Sequence, residues 1–276
     1  MKERVKIFFL LIIILSIFFV NSSWAQKIIV SGYALEKIVK EILLDQEIAL
    51  LQASKIDFHS YEPTPSQWNS LKNAELVIIV GTEPWITKLL SLRKNKITLT
   101  LSQNKTHFKD PHLWFDWNAV ESLIKTLIFY FKNKEPKKAS LYENRATVFL
   151  NQIQKVKTDY QALKKCKEKR IYLLGHPVFH YLLKDFGIEE IAIFKGHIHE
   201  GEISLKTLSQ IITQLKKNKI KIIYYTDPEF ERFKNFFNSQ GIEVLKVLSG
   251  DLPWEGDFIS LLEKNLEKFK IGLQCE

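Results

Sequence analysis

The chain has 276 residues, a formal net charge of +9 at pH 7 and 46% hydrophobic residues, enough for one large or two modest domains with real cores. Its lysines fall in pairs such as Lys137-Lys138, Lys164-Lys165 and Lys216-Lys217 near the ends of expected helices, where cations favour the C-terminal dipole. No basic stripe interleaved with aromatics is present, so the positive balance does not read as a nucleic-acid interface.

The opening stretch MKERVKIFFLLIIILSIFFVNSSWAQ sets Lys2, Arg4 and Lys6 before an apolar run over 7–20 and a small-x-small exit at Ser23-Trp24-Ala25. That order predicts a secretory signal peptide over residues 1–25. An uncleaved anchor is the competing reading, but the run is shorter than the roughly 20 residues a spanning helix needs. No cysteine stands at the exit of the run to carry a lipid, so a soluble periplasmic protein is expected. The two cysteines, Cys166 and Cys275, either pair in an oxidising compartment or remain two free thiols.

Beyond the leader, KIIV leads into an amphipathic helix over 34–43. EIALLQ, ELVIIV and KITLTL follow as strands, with helical stretches beginning near Pro65 and Pro84. Residues 137–165 hold neither Gly nor Pro, and Leu141, Val148, Ile153, Val156 and Leu163 lie near helical spacing. The pattern predicts a single helix of about 43 Å at 1.5 Å per residue, long enough to join two lobes. The second half repeats the rhythm: RIYLLG, a helix that Pro177 starts and Gly187 ends, IEEIAIF, a helix over 205–217, IKIIYYT, a helix from Pro228 to Gly241, IEVLKVL, and a last helix over 258–269. Apolar β-branched runs separated by helices are the mark of parallel sheets covered on both faces. The expected fold is α/β, with lobes over 26–135 and 167–276 joined by a rigid helix over 136–166.

Open parallel sheets bind ligands outside the carboxyl ends of their strands. Four potential metal ligands stand there: His59 after EIALLQ, His112 after KITLTL, His176 at the end of RIYLLG and Asp227 after IKIIYYT. Two come from each lobe, which puts a site in the cleft between them. Each also has a plain reading. His59 is a loop histidine, His112 a crowded imidazole between Pro111 and Leu113, and Asp227, before Pro228, a helix cap. A neutral imidazole in a crowded setting needs a partner, and a metal suits it. His176 precedes Pro177 and is expected to cap the following helix. His180 has metal-ligand spacing to it, but a cap and a helix interior aim differently, which leaves His180 on the helix face or in a supporting role. His197 and His199, in KGHIHEGE, read as surface residues or an accessory site, and His107 as loop.

FHSYEPTPSQWNSLKNAELVIIVGTEPWITKLL, DPHLWFDWNAV and GHPVFHYLLKDFGIEEI resemble three signatures of the zinc/manganese solute-binding proteins of ABC importers. They occur in the family's order, and the likeness continues through the long helix to WEGDFISLLEKNLEKF. The resemblance implies two α/β lobes with one divalent cation between them, held by His59, His112, His176 and, in the least similar surroundings, Asp227. Three imidazoles and a carboxylate suit Zn²⁺. Mn²⁺, the alternative cargo, favours more oxygen ligands, and members resembling manganese binders tend to carry glutamate where His176 stands. Asp110 and Trp114 are expected to support His112, and Glu62 to serve the loop structure around His59. The implied partner is an ABC permease in the inner membrane, supplied by a monomer. The chain departs from the family at Trp117, where a proline is usual, at His180, which is outside the pattern, and in having no histidine-rich loop. Two other readings are a periplasmic zinc hydrolase with Glu62 as base and a metal-binding adhesin.

Overall fold

The computed structural model describes residues 28–52, 58–103, 110–194 and 204–275. The expected leader over 1–25 and His107, His197 and His199 lie outside them. Among the described residues two four-stranded sheets form. Strands β1 (Ile28–Val30), β2 (Ile48–Leu50), β3 (Leu76–Ile79) and β4 (Thr98–Thr100) lie in the order β2-β1-β3-β4. Strands β5 (Arg170–Leu174), β6 (Glu189–Phe194), β7 (Ile222–Tyr225) and β8 (Glu243–Lys246) lie in the order β6-β5-β7-β8, and every pairing is parallel. The two halves thus share one topology.

Near-continuous apolar strands bury both faces, because successive side chains point to opposite sides of a sheet. Ile28, Val30, Leu76 and Ile78 enter one core, while Ile29, Val77 and Ile79 pack with Leu71, Trp85 and Leu89 on the other side. Each such fully buried aliphatic contributes about 1.5–3 kcal/mol. The first of these cores continues from lobe to lobe through Tyr142, Phe149 and Val156 of the linking helix and Leu261, Leu262 and Leu266 of the last helix.

The linking α-helix spans Ala139–Asp159, 21 residues, or about 32 Å at 1.5 Å per residue. It is shorter than the helix expected over 137–165, because Tyr160–Lys165 winds as a 3₁₀ helix. Tyr160 and Leu163 are both fully buried there, and 3₁₀ winding aligns positions i and i+3 on one side. Just beyond, Cys166 and Cys275 form a disulfide that ties the end of the linker to the stretch after the last helix, Phe258–Gly272. The helix Trp117–Lys134 starts cleanly at Trp117. Asp116 caps it, accepting from Asn118 N (3.0 Å) and Ala119 N (3.1 Å). Trp117 takes the first helical position and packs edge-on against Tyr160, ring centroids 5.8 Å apart.

Several second-lobe helices are shorter than expected. The helix predicted from Pro177 to Gly187 reduces to His180–Leu183 followed by a 3₁₀ turn, Lys184–Phe186, closed by Gly187 at φ +72°. Glu190 of β6 accepts from Val178 N (2.8 Å) and Phe179 N (2.9 Å), so the amides a cap would have served are already held. His176 is therefore not the cap residue expected of it, and Phe179 stands at that position. The stretch after Pro228 likewise divides into a 3₁₀ helix, Pro228–Phe233, and a short α-helix, Lys234–Ser239.

Candidate metal centre

Four side chains meet between the lobes. His59 lies in the turn that follows β2, and His112 precedes the 3₁₀ turn Leu113–Phe115 after β4. His176 follows β5, and Asp251 follows β8. One potential ligand atom from each lies within 4.8 Å of all the others. The Nε2 atoms of His59 and His176 are 3.2 Å apart, and those of His176 and His112 are 3.4 Å apart. Asp251 Oδ2 is 3.5 Å from His112 Nε2. The histidines open on a cleft of about 630 Å³ whose lining also includes Asp110, His180 and Glu190.

The carboxylate in this cluster is Asp251, not Asp227. Asp227 is the half-buried residue before the 3₁₀ turn at Pro228, with its carbonyl accepting from Phe230 N at 3.0 Å. Its carboxylate lies beside Gly175, where a Cβ would come 3.8 Å from Oδ2. Both aspartates follow a strand, and tertiary contacts separate them. Trp114 Nε1, from the first lobe, donates to Ser249 O at 2.8 Å, and Gln52 Nε2 donates to Asp251 O at 2.8 Å. Gly250 between them has φ +82°, and a Cβ there would sit 2.7 Å from Trp114 Nε1. A residue without a side chain lets the second lobe's loop press into the first and turn Asp251 toward His112. The available sequence signal was the Gly250-Asp251 pair after the last strand run, read by the same strand-end rule that selected Asp227.

His112 is 1% exposed, and its surroundings orient it. Asp110 Oδ1 accepts from the His112 backbone N–H at 3.0 Å and from ring Nδ1 at 2.6 Å, which leaves Nε2 for the cluster. The Trp114 ring stands edge-on to it, centroids 5.2 Å apart. Burial alone lowers the His112 imidazole, but Asp251 and Asp110 outweigh burial and push it up to about 10. Burial raises the Asp251 carboxyl, yet the charge of His112 and the nearby His59 and His176 hold it below the ordinary carboxylate range. Asp251 Oδ1 is buried and has no hydrogen-bond partner among the described residues. Buried lone pairs of this kind ordinarily have a donor or a cation to satisfy them.

The remaining candidates take lesser places. His180 is exposed at the start of its short helix and lines the cleft outside the four-residue cluster. Glu62 is exposed and lines neither cluster nor cleft. Glu190, which the sequence reading did not single out, lines the cleft with both carboxylate oxygens on backbone amides; burial pushes it up to about 7 against the pull of those bonds.

The family description "Zinc-uptake complex component A periplasmic" (ZnuA) matches residues 28–272. The chain belongs to the ZnuA family. Among the family's curated proteins, the "High-affinity zinc uptake system protein ZnuA" of Bacillus subtilis is 22% identical, over 89% of this chain and 87% of its own length. The "Zinc-binding lipoprotein AdcA" of Streptococcus pneumoniae is 23% identical over 88% of this chain, which spans only 55% of that longer protein. The crystal structure of the Zn(II)-bound ZnuA-like domain of S. pneumoniae AdcA superposes with a TM-score of 0.78 at 23% identity, covering 89% of this chain and 98% of that one. The fold is therefore that of ZnuA-like domains: two parallel-sheet α/β lobes flanked by helices. No helix among the described residues is long and apolar enough to cross a membrane.

Proposed function

We propose that this protein captures one Zn²⁺ in the periplasm through His59, His112, His176 and Asp251 and delivers it to the permease of an ABC importer. The observation that carries the reading is the donor set and its spacing. A tetrahedral zinc with arms of about 2.0–2.1 Å sets its ligand atoms about 3.3–3.4 Å apart. The close approaches here are 3.2, 3.4 and 3.5 Å. Manganese favours more oxygen ligands than one carboxylate and three imidazoles supply. In this reading the leader over 1–25 is removed after export, and the lobes over 26–135 and 167–276 close on the ion around the helix of 136–166. Family membership and the zinc named for the Bacillus and Streptococcus relatives support it.

A hydrolase would need a base beside the metal. Glu62, the base the sequence offered, lies outside the cleft lining, which favours binding over catalysis. The test is competitive titration of the chelator-treated full chain with Zn²⁺ and Mn²⁺. The expected result is one zinc per chain, held at least about tenfold more tightly than manganese, with a rise in melting temperature. Manganese displacing zinc at equal concentration would overturn the choice of cargo, and no binding of either would overturn the function.

A further inference from the structure

We propose that Glu190 is a positioning residue for His176, holding from a neighbouring strand the turn that carries this metal ligand. The inference rests on the zinc reading above and deepens it. His176 and Pro177 lie between β5 and the short helix His180–Leu183, a stretch with no regular structure of its own. Two consecutive amides of that stretch, Val178 N and Phe179 N, donate to the two oxygens of one carboxylate, at 2.8 and 2.9 Å. The carboxylate belongs to β6, and its Cα pairs with Ile171 of β5, so the anchor is built into the sheet rather than into another loop. Val178 and Phe179 are themselves fully buried. A turn pinned at these two points fixes the backbone directly after His176, and with it the direction from which the ring reaches the cluster.

Glu190 lines the same cleft but lies outside the four-residue cluster, and each of its oxygens accepts from a backbone amide. A similar device occurs in the first lobe, where buried Glu83 accepts from Val80 N (2.8 Å) and Gly81 N (2.7 Å), but that turn carries none of the four clustered residues. Glu83 therefore supplies the control: the same kind of anchor with no ligand attached.

The experiment is a double-mutant cycle for zinc affinity on the full chain, comparing Glu190→Gln, His176→Ala and both together, with Glu83→Gln alongside. Glutamine keeps one acceptor but turns an NH₂ toward the second amide. E190Q is expected to weaken zinc binding about 10- to 100-fold, as for other groups that orient a metal ligand. The intense visible bands of Co²⁺ bound in place of zinc should fall as tetrahedral coordination is lost, and E83Q should leave affinity unchanged. In the His176→Ala background the effect of E190Q should vanish. A loss that persists undiminished there, or an equal loss in E83Q, would mean that Glu190 acts through bulk charge or general stability and would overturn the inference. Should E190Q unfold, amide exchange at Val178 and Phe179 of the unmodified metal-free chain decides: slow exchange supports the anchor, fast exchange removes it. Failure of the unmodified chain to bind zinc overturns the zinc reading and this inference together. Zinc binding with an unchanged constant in E190Q overturns the inference alone.

Discussion

The floor of the cleft and its rim are built differently. At the floor, His112 and Asp251 follow the fourth strand of their respective sheets and lie 3.5 Å apart, 1% and 6% exposed. At the rim, His59 follows β2 and His176 follows β5; both are half-buried, with Nε2 atoms 3.2 Å apart. The floor is fixed by bonds within the protein: Asp110 on the His112 ring, Trp114 on Ser249 O and Gln52 on Asp251 O. At the rim, two ring nitrogens so close together need a proton or a cation between them. Half of the site is thus prebuilt by burying opposite charges, and half is completed by what binds.

The comparison is most open to attack through stability. His112→Ala leaves Asp251 as a buried charge without its partner, so the metal-free chain should lose about 3–5 kcal/mol as well as its zinc affinity. His176→Ala at the rim should weaken zinc binding but cost the metal-free chain less than about 1 kcal/mol. Urea unfolding of chelator-treated proteins checks this, and equal losses would erase the distinction between floor and rim.

The next effect separates the two aspartates. Asp251→Asn should weaken zinc by about 100-fold or more, the scale of a broken buried charge contact. Asp227→Asn should change affinity by less than about twofold, as a substitution outside the cluster. Calorimetric titration of both variants would reverse the assignment if the order were inverted.

Acidity offers a smaller, graded test. The raised His112 value means that its contribution to the metal-free fold is fully present below its ordinary value near 6.5 and is lost as pH rises toward about 10. The lowered Asp251 value means that its contribution is present above the ordinary carboxylate value and is lost as pH falls below it. Zinc must displace the His112 proton, so affinity should rise by about tenfold per pH unit for each proton displaced. The gap in melting temperature between loaded and metal-free protein should widen from pH 6 to pH 9, and a constant gap would remove His112 from the metal. A last test is Trp114→Phe, which keeps an aromatic ring but deletes the bond to Ser249 O together with part of the buried indole. About 1 kcal/mol of stability should be lost, and a larger fall in zinc affinity than in stability would show that this bond also aims Asp251.

Much of this molecule was legible one residue at a time. The apolar residues 28–30 and 76–80 of the runs KIIV and ELVIIV are buried on both faces, as β-branched strands of a covered parallel sheet must be. The absence of Gly and Pro after Pro136 predicts the linking helix, and its 3₁₀ end is not legible in the sequence because Tyr160 and Leu163 fit either winding until both are seen buried together. His59, His112 and His176 were singled out from strand-end position and a family resemblance, and the structure draws the three into one cluster. Asp251 was missed because the strand-end rule gives two aspartates equal standing.

The sequence by itself determined the strands and their repeated order and pointed to three of the four clustered side chains, because periodicity, turn residues and strand-end position are local properties. The tertiary structure alone decided between Asp227 and Asp251, joined Cys166 to Cys275, and passed the anchoring of the turn after His176 to Glu190. Each of these depends on contacts between residues distant in the chain: Trp114 with Ser249, Gln52 with Asp251, and β6 with the turn after β5. Local chemistry can nominate such groups. Only packing brings them within a few ångströms, where charge and hydrogen bonding choose among them.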